Sequence, residues 1–194
     1  MAILENYSRN LFHCQDHLVQ RNLHALQQAL ALLEKMDDTT YREPPPEFGP
    51  HRVGGHLRHI LEFYECFLDG IRTRQIDYDA RKRDESIETN RRVAMAKIRA
   101  IIQRLENTPA LGEDFVIWVR MEDSTDGEVS DPFLPSSAAR ELQVLSSHTV
   151  HHLALIAMTL AAHGKPVDRD FGMAPSTLRY AAAKRQRQSA PEAA

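Results

Sequence analysis

The chain has 194 residues, 42% of them hydrophobic and 26% charged, which excludes a wholly disordered protein and suits one domain with a sizeable core. A net charge of −3 provides no global basic field to attract nucleic acid or an anionic membrane. Its two cysteines, Cys14 and Cys66, lack C-x-x-C spacing, so neither a disulfide framework nor a thiolate metal site is indicated.

The opening MAILENYSRN reaches Glu5 and polar residues at once, unlike a signal peptide, and no run of about 18 apolar residues follows. The expectation is a cytoplasmic protein that does not span a membrane. From Ile3 to about Met36, Leu4, Tyr7, Leu11, Cys14, Leu18, Leu26, Leu30 and Leu33 recur in steps of three and four, interrupted by Asn22, which predicts a long first helix. Pro44, Pro45, Pro46, Gly49 and Pro50 mark residues 37–53 as a loop. A second helix is predicted from about Gly54 to Arg72, with Leu57, Ile60, Leu61, Phe63, Tyr64, Phe67 and Leu68 in a broad apolar arc. The charged connection RTRQIDYDARKRD leads to a third helix from about Glu85 to Glu106. The β-branched and aromatic run DFVIWVRMED, followed by STDG and EVSD, predicts a short β-hairpin, with Trp118 and Arg120 packed toward the core. Ser136 or Ser137 can cap a fourth helix that runs to about His163 and stops at Gly164 and Pro166. A short fifth helix, STLRYAAAK, ends a single domain over 1–185, and residues 186–194 form a disordered tail. Four basic residues near that end, Arg179, Lys184, Arg185 and Arg187, make only a weak case for nucleic acid.

Ten histidines are roughly double ordinary usage. His148 and His152 lie one turn apart in the apolar stripe of the fourth helix, a spacing that lets two imidazoles hold one divalent ion. The residues between them are T-V-H, so the catalytic Glu of H-E-x-x-H is absent. A firmly held ion needs a third ligand, and the second helix offers His56 or His59. Periodicity slightly prefers His56, which falls nearer the middle of the apolar arc. One buried histidine by itself would more simply bond a carbonyl or carboxylate. Five histidines on two apolar-faced helices shift the balance, since a shared metal offsets their desolvation. His151 reads as an outer or surface residue, and His13, His17, His24, His51 and His163 as structural or solvated.

The segments VGGHLRHILEFY, IDYDARKRD, SSAARELQVLSSHTVHHLALI and FGMAPSTLRY, in that order, resemble the DinB-like (DinB/YfiT) superfamily over about Arg52 to Tyr180. The resemblance implies an all-α, four-helix bundle with a short β-hairpin between helices three and four and a short C-terminal helix. It also implies a divalent metal, commonly zinc, nickel or iron, on three histidines. The H-x-x-x-H pair maps onto His148 and His152, and the context of the third ligand fits His59 better than His56. Two positions depart from the family pattern: Arg52 stands at the capping position, and Tyr64 where an acidic residue is usual. Characterised members are thiol-dependent transferases or isomerases using mycothiol, bacillithiol or glutathione, and some are described as hydrolases.

The expectation is therefore a metal-dependent transferase acting on a small molecule with a low-molecular-weight thiol. The alternatives are a metallohydrolase with Glu141 or His151 as base, and a non-catalytic metal- or ligand-binding stress protein that dimerises through exposed helix faces. Beside Tyr78, Arg81 and Arg83 offer forked guanidinium groups for the carboxylate of a substrate or thiol cofactor, the plainer reading being a solvated charged loop. Glu141, two turns before His148, is too far along the helix to ligate with it and would orient a neighbour.

Overall fold

A computed structural model describes residues 2–46, 49–121 and 132–189. These form seven α-helices and three short strands. Four helices are long: α1 (Ala2–Lys35), α3 (Val53–Gly70), α5 (Arg91–Glu106) and α6 (Ala138–Ala162). Helix α1 packs against α5 and α6, and α3 packs against the same two. The apolar steps seen in the sequence supply the shared core: Leu26 and Leu33 from α1, Leu57, Leu61 and Phe67 from α3, Ile98 from α5, and Leu142 and Ile156 from α6 are all fully buried. By length and mean hydropathy α6 would suffice to cross a membrane. Its buried leucines and isoleucine instead belong to this shared core.

Asn22, the polar interruption in the first helix, is fully buried rather than a gap at the surface. Its amide donates to the carbonyls of Leu18 and Leu142 at 2.8 and 3.0 Å, and its oxygen accepts from the Tyr64 hydroxyl at 2.7 Å. Thr149 stands 3.1 Å from the Tyr64 oxygen while donating to Leu145 O. A polar knot thus ties α1, α3 and α6 together inside the core.

Two helices are missing from the sequence-based expectation. The predicted loop holds a five-residue helix, α2 (Asp38–Arg42), begun by Asp37, whose carboxylate accepts from Thr40 N at 2.8 Å. The predicted third helix is split into α4 (Glu85–Thr89) and α5 at Asn90, which is extended and whose side chain accepts from the amides of Arg92 and Val93. An asparagine that bonds the next turn's amides restarts a helix rather than continuing one. Helix α4 presses its backbone onto α3. A Cβ on Gly54 would lie 1.9 Å from the Glu88 carbonyl oxygen, so only glycine fits there.

The β element also differs from the expected hairpin. Strand β2 (Val116–Arg120) pairs antiparallel with β3 (Leu134–Ser137), which lies beyond EVSD. The STDG turn and EVSD fall outside the described residues. On its other side β2 pairs in parallel with β1 (Gln75–Asp77), a strand inside what reads as a charged connection. Only Ile117 of β2 is fully buried, and Trp118 is 45% exposed, against its expected place in the core. Arg120, also expected to pack toward the core, forms an ion pair with Asp77 on β1.

Ser137 caps α6 by accepting from Arg140 N, and the helix ends at Ala162 before Gly164, whose φ is +69°. The chain then returns to lay Gly172 against the α6 backbone beside Leu153 and Ala154. Helix α7 (Pro175–Ser189) is longer than the segment STLRYAAAK, and it continues past 185, where a disordered tail was expected to begin.

Candidate metal centre

Where α3 packs on α6, each helix presents histidines at helical spacing to the other. One nitrogen from each of His59, His148 and His152 lies within 4.8 Å of the other two, so this trio can hold a metal ion. His59 Nε2 and His148 Nε2 are 3.1 Å apart. Two imidazole nitrogens at that distance repel through their lone pairs unless a proton or a cation lies between them. All three rings are half-buried.

Burial is the leading cause of lowered basicity throughout the cluster. It takes His59 to about 4, with help from His148, Arg81, Arg58 and His56. His148 also falls to about 4, through burial and then the nearby His151 and Arg81. His152 falls to about 3, through burial and then the surrounding histidines. Neutral imidazoles are the form that binds metal, so the donor set fits a divalent ion near neutral pH. His148 Nδ1 adds a second observation. It is buried and has no hydrogen-bond partner among the described residues, whereas buried polar atoms ordinarily have one.

His56, favoured slightly by periodicity, takes a different place. Its Nδ1 lies 3.1 Å from Nδ1 of His152, and its ring stacks at 6.0 Å on His51. It therefore contacts a trio member through a ring nitrogen, as outer partners of metal-bound histidines do. Its basicity is lowered by burial and then by His51 and His151. His151 is exposed, its ring 5.2 Å from that of His152. His17 and His24 are exposed on α1, and His163 meets the Glu43 carbonyl at 3.0 Å. The side chain of His13 lies outside the described residues.

Segment 77–84 closes one side of the cluster. Asp77 accepts from the amides of Asp79 and Ala80, Tyr78 donates to Glu141 at 2.9 Å, and Asp84 N donates to buried Glu62 at 2.6 Å. Held at both ends, the segment sets Arg81 over the Phe63 ring, 4.7 Å from its centroid, with Nη1 2.8 Å from His59 Nδ1. Arg83 is exposed, with φ +51°. Glu141 spends both oxygens on Tyr78 and Ser136, the latter at 2.6 Å. Its orienting role is thus exercised on the segment that carries Arg81. Phe63 stacks on Tyr78 at 4.8 Å, meets the tilted ring of His148 at 4.3 Å, and walls the cluster on that side. Two surface clefts occur elsewhere, one beside Leu68 and Phe115 and the other beside Met36 and Phe171, and the histidines line neither.

A stretch of 106 residues, 54% of the chain, is 31% identical to FK506-binding protein 5 of Rhizopus delemar. That stretch spans only 27% of the fungal protein. No solved structure matches. The sequence profile of the DinB superfamily matches residues 23–156, an interval that contains His59, His148 and His152. The chain belongs to the DinB superfamily.

Proposed function

We propose that the protein is a metal-dependent enzyme of the thiol-dependent transferase type, built on a four-helix bundle and acting on a small molecule. Its divalent ion, zinc, nickel or iron, is held by His59, His148 and His152. The observation that carries this reading is the convergence of three half-buried imidazoles, kept neutral by burial, on one point between α3 and α6. Three neutral ligands leave the ion's charge uncompensated, so when bound it supplies a Lewis acid that can hold and acidify a thiol.

The chain's own residues do the rest. Phe63 and Tyr78 shield one side of the trio from water, and His56 orients the His152 ring through its Nδ1. Arg81 puts a second positive centre beside the first, and two adjacent cations favour a ligand with negative charge. That suits a thiolate or the carboxylate of a small thiol. Arg83, exposed, is left to the rim of this approach.

A metallohydrolase is the second reading. Glu141 is engaged by Tyr78 and Ser136, so His151, exposed beside His152, is the residue that could serve as its base.

Elemental analysis of the purified protein beside a His148→Ala, His152→Ala double variant tests the metal. About one ion per chain is expected in the first and none in the second, and equal content would overturn the reading. Adding glutathione to cobalt- or nickel-loaded protein tests the thiol. A shift in the metal's absorption supports the transferase, whereas no shift together with hydrolysis of ester or lactone substrates favours the second reading.

A further inference from the structure

We propose that Arg81 and the metal compete for His59, so that loading the ion frees the guanidinium for an anionic ligand. The inference rests on the metal reading above but not on any particular reaction.

It follows from which group can donate to which. A guanidinium has only donors, so His59 Nδ1, 2.8 Å from Arg81 Nη1, must accept and carries no proton. Neutral His59 then holds its proton on Nε2 and donates it to His148 Nε2, 3.1 Å away. His148 in turn carries its proton on Nδ1, the buried atom with no partner among the described residues. The chain Arg81, His59, His148 is therefore polarised in one direction, and the His59 proton sits between the two nitrogens that would face an ion.

A metal taken up by those Nε2 atoms replaces that proton. His148 already has the required tautomer, with Nδ1 protonated and Nε2 bare. His152 reaches it by donating from Nδ1 to His56 Nδ1, 3.1 Å away. His59 must change. Its proton moves to Nδ1 and there meets the donor Arg81, so two N–H groups point at each other and the guanidinium has to leave. The segment that carries it stays anchored by Asp77, Tyr78 and Asp84, which keeps the released group next to the ion. An anion bridging toward both centres then binds better in the presence of metal, and metal binds better in the presence of the anion.

Long-range proton–nitrogen correlation spectra of the histidine rings test this directly, with zinc as the metal. The metal-free protein is expected to show His59 protonated on Nε2 and bare on Nδ1, and the zinc-loaded protein the reverse. His59 protonated on Nδ1 before zinc, or still bare there after it, would overturn the proposal. An absence of zinc binding would remove the metal reading itself and this inference with it.

Arg81→Met and Arg81→Gln, which abolish the obligatory donor, should each bind zinc about tenfold more tightly, the factor that matches one hydrogen bond of ordinary net strength. Unchanged or weaker affinity counts against the competition. Sulfate should tighten zinc binding by the wild type more than by either variant, and an equal effect in all three would overturn the anionic role. If neither variant folds, the wild-type spectra still decide.

Discussion

Two polar clusters lie where α3 meets α6, one residue apart along α6 and one of them joined by α1, and they are built on opposite plans. Around Asn22, Tyr64 and Thr149 every donor or acceptor described has a partner, and the cluster is fully buried. Around His59, His148 and His152 the rings are half-buried, the buried His148 Nδ1 has no partner among the described residues, and burial works against protonation. A completed network fixes the register of helices. An incomplete one held in place by its neighbours is what a ligand site requires. The difference teaches that α3 and α6 are locked by one cluster so that the other can stay unsatisfied.

Substitutions should separate the two. The largest effect expected is that His59→Ala lowers zinc affinity by more than about a hundredfold, while His56→Ala, which removes only an outer partner, costs about ten- to a hundredfold. A competition titration against a chromophoric chelator measures both, and the reverse order would make His56 the ligand. In the other cluster, Asn22→Ala strands the Tyr64 hydroxyl and the Leu142 carbonyl. It should cost about 3 kcal/mol in chemical denaturation while leaving zinc content unchanged.

The clusters should also differ in their response to pH. In the unfolded chain the site histidines take up protons near 6.5, whereas in the folded, metal-free protein His59 and His148 resist until about 4 and His152 until about 3. The unfolded state therefore binds more protons in that interval. Stability contributed by these groups is intact above 6.5 and is lost progressively as pH falls through 4 to about 3. Urea midpoints measured across this window should fall, and the fall should be shallower in the His148→Ala, His152→Ala variant. An equally steep fall would assign the loss to other groups. The smallest expected effect lies outside both clusters: Ser137→Ala removes the cap of α6 and should lower stability by about 1 kcal/mol, without changing zinc content.

Much of this was legible locally. The four long helices follow from apolar steps of three and four, and His148 and His152 share a face because four residues make about one helical turn. The cap at Ser137 and the stop at Gly164 are short-range chemistry of the same kind. Strand β1 was not legible, because three residues carry no usable periodicity and their partner Val116–Arg120 is distant in sequence. The break at Asn90 was missed because the apolar pattern continues on both sides of it. Asn22 looked like an interruption, and besides Leu18 on its own helix its partners come from α3 and α6.

The sequence by itself determined that this chain is mostly helical and that two helices carry paired histidines, because both properties depend on neighbours within one or two turns. Periodicity left His56 and His59 both open and only the family resemblance favoured His59; which of them meets which member of the α6 pair is decided by tertiary structure. His56 and His59 differ by less than one helical turn, so the packing of α3 on α6 selects which nitrogen reaches His148. Arg81 joins them for a similar reason. Its position is fixed by Asp77, Glu62 and Glu141, residues brought together only when sheet and helices have assembled.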